Sequence, residues 1–165
     1  MSETAVLKIL NHNTVIKLIE TLEIQNYLYI VMELGSDGDL FDYIVNKQFL
    51  EEYEASFIMK KLLLSLTYIH NMGIIHRDLK PENIIISTDS NNQVSEIKLT
   101  DFGFSKFLCT SANVKEACGT PGYIGILTIL LIKSNLFNVA PEVFSEKGYG
   151  KKADIFSLGV IMYFL

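Results

Sequence analysis

Hydrophobic and polar positions alternate along the chain in a way that separates helices from strands. In residues 2–11, Val6, Leu7, Ile9 and Leu10 fall on one broad stripe, predicting a short amphipathic helix, and residues 15–19 then run extended. The apolar run Tyr27 to Met32 reads as a strand. Gly35, Asp37 and Gly38 interrupt the pattern, after which Leu40, Phe41, Ile44 and Val45 take helical spacing within 39–46. The clearest helix is 51–71. There Ala55, Ile58, Leu62, Leu66 and Ile69 recur every three or four positions, and Glu51 and Glu52 occupy the first turn, where the helix dipole favours acids. Short apolar runs at 84–86 and 97–100 alternate with polar turns. The pattern predicts an α+β domain with one core, with no internal repeat or low-complexity tract to mark a second domain.

Composition narrows the class. The 165 residues are 49% hydrophobic and 20% charged, which suits one globular domain. Fourteen Lys and Arg against nineteen Asp and Glu give a net charge of −5 with no basic block, so nucleic acid is not expected as a partner. Cys109 and Cys118 lack the spacing of a disulfide scaffold or zinc site and fit a reducing compartment. Charged residues interrupt the first twenty positions, so no export signal is expected and the address reads as cytoplasmic or nuclear. Mean hydropathy is high, at +0.28. Much of it sits in 124–132 and 155–165, both too short to span a bilayer. Because the chain ends inside an apolar helical pattern without a stop signal, it reads as a piece of a larger domain.

The chemistry concentrates in His76-Arg77-Asp78-Leu79-Lys80-Pro81-Glu82-Asn83, followed by Asp101-Phe102-Gly103. Two carboxylates, Asp78 and Asp101, an amide oxygen and a lysine suit a magnesium-bound phosphate, since magnesium takes oxygen ligands and an ammonium holds phosphate oxygens. Phosphoryl transfer is the reaction this set suggests. A solvated loop of charges is the plainer alternative.

These motifs resemble the catalytic loop and metal-binding triplet of eukaryotic protein kinases. Ala140-Pro141-Glu142 resembles the end of their activation segment, and Gly119-Thr120-Pro121-Gly122-Tyr123 the loop that accepts the residue after the target hydroxyl. The wording LYIVMELGSDGDLFDYI, KLTDFGFSK and CGTPGYI is similar to the calcium/calmodulin-dependent and calcium-dependent serine/threonine kinases. The resemblance implies a truncated kinase-like fold: the end of the small lobe (helix C and the fourth and fifth strands), then the helical large lobe from helix D into helix F.

The same resemblance implies site roles. Asp78 would orient and deprotonate the target hydroxyl, Lys80 would neutralise the transferring phosphoryl group, and Thr120 would join them. Asn83 and Asp101 would hold Mg2+. Glu3 would pair with a strand lysine outside the sequence, or be an ordinary first-turn acid. Met32 would guard the ATP pocket, Glu33 and Leu34 would meet adenine through their backbone, and Ile85 would form the floor, unless Met32 and Ile85 are plain core. Asp39 and Glu82 would lie near the ribose and near a substrate arginine, implying protein substrates with basic residues before the phosphosite. Pro121 and Gly122 would face the substrate. Arg77 would look for an anion in the activation segment, where Glu116 stands in place of a phosphorylated threonine, so loop phosphorylation is not expected to be obligatory. Any calcium or calmodulin link would run through segments outside the chain.

Three departures qualify the resemblance. The Gly-rich loop and strand lysine would lie before Met1, and helix F breaks off at Leu165, so the fragment is expected to be inactive and poorly soluble by itself. The third is residues 125–139 (GILTILLIKSNLFNV), inserted where relatives run straight from GYI to APE. With GGT for Gly125 and GTA for Val139 the segment is bounded by GT and AG. Its removal keeps the frame and restores GYIAPE, so it reads as a retained intron or gene-model error. A genuine insertion that docks on a partner or membrane surface is the alternative. For the whole chain, the alternative to an enzyme is a non-catalytic kinase-like binding or regulatory module, or a degenerate gene product.

Overall fold

The computed structural model describes residues 3–108, 139–144 and 149–165. Helix α1 (Glu3–Leu7) leads into a hairpin of β1 (Leu18–Ile24) and β2 (Tyr27–Met32). Helices α2 (Leu40–Lys47) and α3 (Glu52–Asn71) follow, then β3 (Ile74–Ile75), a 3-10 turn at Pro81–Asn83, and the strands β4 (Ile84–Thr88) and β5 (Val94–Leu99). Strand β6 (Lys106–Phe107), a 3-10 turn at Pro141–Phe144 and helix α4 (Lys152–Phe164) complete the described residues. Among the described residues three separate antiparallel pairs form: β1 with β2, β3 with β6, and β4 with β5.

The core grows from the α3 stripe. Ile58, Leu62, Leu66 and Ile69 are buried and pack with Ile84, Ile86, Ile97 and Leu99 of the β4–β5 hairpin, so one helix face covers one sheet face. Val6, Leu7 and Leu10 join the same core, whereas Ile9, expected on that stripe, is exposed: the helix ends at Leu7 and the chain turns before Ile9 can reach inward. Residues 15–19 are extended as expected, but only from Leu18 as a regular strand. Val15 instead bridges Leu99 alone. Helix α2 begins where Asp39 leaves the extended region and its Oδ1 accepts the Asp42 amide at 2.9 Å, the usual side-chain solution for an orphan first-turn donor. Of its stripe Leu40 is buried and Ile44 packs on the core, while Phe41 and Val45 face solvent.

The two hairpins differ sharply. Strand β2 has the predicted limits, but Tyr27, Leu28 and Tyr29 are all exposed, as are Ile19 and Ile24 across the ladder. Gln25 and Asn26, both at positive φ (49° and 70°), close it with a two-residue turn whose twist matches the strands. No helix among the described residues is long and apolar enough to cross a membrane. Helix α4 buries Leu158 and Ile161 and exposes Ile155, Phe156, Met162, Tyr163 and Phe164.

One acid of α3 lies inside. Glu54 is buried and takes hydrogen bonds from Tyr43 Oη (2.5 Å), Lys47 Nζ (2.7 Å) and the Val94 amide (3.1 Å), tying α2, α3 and β5 together. Burial pushes its carboxyl up, but these donors outweigh burial and hold it below its ordinary value. Glu54→Ala is expected to cost about 2 kcal/mol, because it leaves the Val94 amide and Lys47 without their acceptor. The exposed neighbour Glu52→Ala should cost no more than about 0.5 kcal/mol. Urea midpoints of the two variants against the parent chain check this.

Candidate active site

The site is organised by a carboxylate that enters from far along the chain. Asp154, in the first turn of α4, is 1% exposed. Its Oδ2 accepts from the His76 amide at 2.9 Å and from His70 Nε2 at 2.7 Å, and its Oδ1 accepts from the Arg77 amide at 2.9 Å. These bonds hold Arg77 at φ 72°, a left-handed conformation that a non-glycine residue keeps only when its surroundings impose it. The chain therefore turns sharply just before Asp78.

His76 is fully buried beneath that turn, edge-on to Phe102 with ring centroids 5.0 Å apart. Its Nε2 lies 3.0 Å from the Thr100 carbonyl and its Nδ1 3.3 Å from the Asp78 amide. One nitrogen must donate and the other accept, which fits neutral imidazole with its proton on Nε2. Burial holds the ring below its ordinary 6.5, against the nearby charges of Asp154, Asp78 and Asp101.

Downstream, Leu79 and Pro81 are buried and anchor the loop, and the polar residues between them gather round Asp78. Lys80 Nζ lies 2.9 Å from Asp78 Oδ2. Asn83 Nδ2 donates to the Asp78 carbonyl (2.8 Å) and to Asp78 Oδ2 (3.1 Å). With its nitrogen committed there, the nearly buried Asn83 amide offers its Oδ1 as the remaining acceptor. The Asn83 carbonyl takes the Thr100 amide at 3.0 Å, which brings the strand end before Asp101 against the loop. Asp101 sits at φ 58° and its Oδ1 accepts the Gly103 amide at 3.2 Å.

Glu3 reaches the same corner from α1. Burial, then the charge of Asp101, push its carboxyl above its ordinary value, and the Phe102 amide only partly opposes them. A Cβ on Gly103 would come within 3.1 Å of Asp101 Oδ1 and 4.0 Å of Glu3 Oε2, so glycine leaves these carboxylates room. Glu3 and Asp101 supply carboxylate oxygens and Asn83 an amide oxygen, the hard donors that a divalent cation takes. The chemistry of these donors fits magnesium.

The segment after β2 runs along β4. Met32 ends the strand and is exposed, Leu34 is 96% exposed, and Ile85 on β4 is half-buried. The Glu33 amide donates to the Lys17 carbonyl at 3.0 Å, so of the Glu33 backbone only the carbonyl remains for a ligand. Gly35 was not among the expected site residues, yet a Cβ there would lie 2.0 Å from Ile85 Cγ2, so this position tolerates no side chain with the floor where it is. The Asp39 backbone bridges Ile85, while its carboxylate caps α2. Glu82 is half-buried in the 3-10 turn.

Asp78 is thus in contact with Lys80 and Asn83, Glu3 lies within the field of Asp101, and Gly35 and Asp39 each meet Ile85. Arg77 donates through Nε to the Phe104 carbonyl and through Nη1 to Tyr149 Oη at 3.2 Å, and among the described residues it makes no ion pair. Thr120, Pro121, Gly122, Glu116 and the segment 125–138 lie outside the described residues. His70 was missed by sequence reasoning: its partner Asp154 is 84 positions away, and nothing in the α3 pattern distinguishes it from a solvated last-turn histidine.

The family model for the protein kinase domain matches residues 1–165. The chain belongs to that family. Myosin light chain kinase A of Dictyostelium discoideum is 39% identical over 163 residues, covering 99% of this chain and 50% of the relative. Calcium/calmodulin-dependent protein kinase type 1 of Macrobrachium nipponense is 40% identical over 164 residues, covering 99% and 42%, and that of Caenorhabditis elegans likewise 40%, covering 99% and 42%. The chain spans half or less of the length of these curated relatives.

The neutral state of His76 gives this kinase domain a pH signature. Its folded value lies below 6.5, so under pH 6.5 the unfolded chain takes up a proton that the folded chain refuses. Stability therefore falls as pH drops below the unfolded value. Tm measured from about pH 7 to pH 5 should decline in the parent chain, and His76→Gln should flatten that decline while lowering Tm throughout.

Proposed function

We propose that this kinase domain transfers the γ-phosphoryl group of ATP to serine or threonine hydroxyls of protein substrates, as part of a longer protein. The observation that carries the reading is the Asp78 carboxylate, contacted at 2.9 Å by Lys80 and at 3.1 Å by Asn83. In this reading Asp78 accepts the proton of the substrate hydroxyl as that oxygen bonds to the γ-phosphorus and the bond to the bridging oxygen of ADP breaks. Lys80 leaves Asp78 to hold the γ-phosphoryl oxygens. Asn83 Oδ1 and Asp101 hold magnesium, which when bound screens the charge of the phosphates. Glu3 pairs with a lysine from sequence flanking this chain, which would relieve its repulsion from Asp101. The Glu33 carbonyl and the backbone of Leu34 and Gly35 receive adenine above Ile85, beside Met32.

In lobe terms, α1 with β1 and β2 is the end of the small lobe, and α2 through α4 is the beginning of the large one. Asp39 and Glu82 favour substrates with basic residues before the target hydroxyl, Thr120, Pro121 and Gly122 meet the substrate, and Glu116 answers Arg77 without obligatory phosphorylation. Two of the named relatives are calcium/calmodulin-dependent kinases, which supports a calcium or calmodulin link through flanking segments.

Asp78→Asn in the full-length protein should lower kcat on a basic serine peptide by at least about 100-fold, with nucleotide affinity nearly unchanged. Full activity in that variant, or none in the parent protein with nucleotide bound, would favour the non-catalytic module. Residues 125–139 are proposed to be intronic: reads of the transcript across this region should give GYIAPE in the dominant message, and a dominant message retaining the segment would establish the insertion as real.

A further inference from the structure

Outside the catalytic loop, the densest unassigned charge cluster lies behind the segment that leaves β2. Glu33 Oε1 accepts from the Lys17 amide at 2.7 Å and from Lys98 Nζ at 2.8 Å, and Oε2 accepts from the same Nζ at 2.9 Å. The Glu33 amide donates back to the Lys17 carbonyl at 3.0 Å. Both carboxylate oxygens and the amide of Glu33 are therefore committed. Lys98 and Glu33 are 21% and 26% exposed, so water and salt screen the pair less than an ordinary surface ion pair. Burial raises the Glu33 carboxyl, but the Lys98 hydrogen bond and the Lys17 amide bring it below its ordinary value.

The position of Lys98 gives this pair its significance. On the β4–β5 ladder Lys98 stands directly opposite Ile85. Residues directly opposite on an antiparallel ladder project to the same face. From this one rung Lys98 grips Glu33, and Ile85 abuts Gly35 so closely that a Cβ could not fit. One side chain fixes the segment by charge and the other by contact, two residues further along.

We propose that Lys98 is a positioning residue for adenine binding: through Glu33 it fixes the backbone of Glu33 to Gly35 against the β4–β5 hairpin. The inference rests on the reading that this backbone receives adenine. It assigns Lys98 no contact with the nucleotide. The cluster opens on a cavity of about 250 Å3 lined in part by His12, Val15, Lys17, Glu33 and Lys98, which gives a longer or differently shaped cation room in place of the ammonium.

The test compares Mg·ADP with Mg·tripolyphosphate in the full-length protein, because only the first has an adenine. Lys98→Met should weaken Mg·ADP about tenfold by calorimetric titration, and Lys98→Arg should recover most of that loss. Tripolyphosphate affinity, read by competition, should stay within about twofold in both variants. Equal losses for the two ligands would make Lys98 merely structural and overturn the proposal, as would unchanged ADP affinity in Lys98→Met. Failure of the parent protein to bind Mg·ADP would instead refute the adenine-site reading itself and take the proposal with it.

Discussion

The carboxylate of Asp154 is the point on which the site depends. Three donors converge on it, the amides of His76 and Arg77 and the ring of His70, and the carboxylate itself is buried. Burying a carboxylate is costly unless its oxygens are fully hydrogen-bonded, and hydrogen bonds to a charged group contribute about 1.5–3 kcal/mol each. Here they also hold a non-glycine residue, Arg77, at φ 72°, a conformation that costs on the order of 1 kcal/mol or more. The stabilisation at Asp154 thus maintains the turn that aims Asp78. Because α3 supplies His70 and α4 supplies Asp154, the packing of two helices and the geometry of the catalytic loop are one structure.

A second constraint is sheet register. The β4–β5 ladder carries Ile84, Ile86, Ile97 and Leu99 into the core, and the alternation leaves Ile85 and Lys98 on the opposite face, where the β2-to-α2 segment lies. A slip of one residue would exchange the two sets, burying Lys98 and withdrawing both contacts to that segment. Core packing therefore fixes not only that the hairpin forms but also which of its side chains the site receives. The same hairpin is tied to α3 and α2 through Glu54, whose bond to the Val94 amide closes the far end.

What the sequence disclosed follows from what periodicity can report. The α3 stripe and the limits of β2 were legible because an apolar run or a 3.6-residue repeat is a local property. Whether another element covers an apolar face is not local: YLYIVM reads as a strand, and nothing in its apolar run tells that Tyr27, Leu28 and Tyr29 are exposed. The motif residues Asp78, Lys80, Asn83 and Asp101 were legible because their kinds and spacing are those of a phosphate-handling set. Of the residues that position them, Asp154 is implied by the family resemblance as the brace of this loop, whereas its partner and the other supporting residues were not legible. His70 and Lys98 look like ordinary solvated charges in sequence, and Glu54 looks like one more first-turn acid. Each acquires its role from a partner tens of positions away, and a single sequence carries no signal of that pairing. Gly35 was visible only as a turn former, since the contact that demands glycine comes from Ile85.

The charges of the site are arranged so that its two halves stand in different states of compensation. Asp78 already has Lys80 at 2.9 Å and an amide hydrogen at 3.1 Å. Glu3 and Asp101 have amide donors but, among the described residues, no cation, and burial, then the charge of Asp101, push Glu3 up. A magnesium-bound phosphate entering such a site would be drawn from both sides, because the cation is attracted by Asp101 while the phosphate attracts Lys80. In the proposed reading, Lys80 would turn from Asp78 Oδ2 to the phosphate while that oxygen kept the Asn83 amide, so one lysine placed between two anions would serve the phosphate without releasing the orientation of the carboxylate.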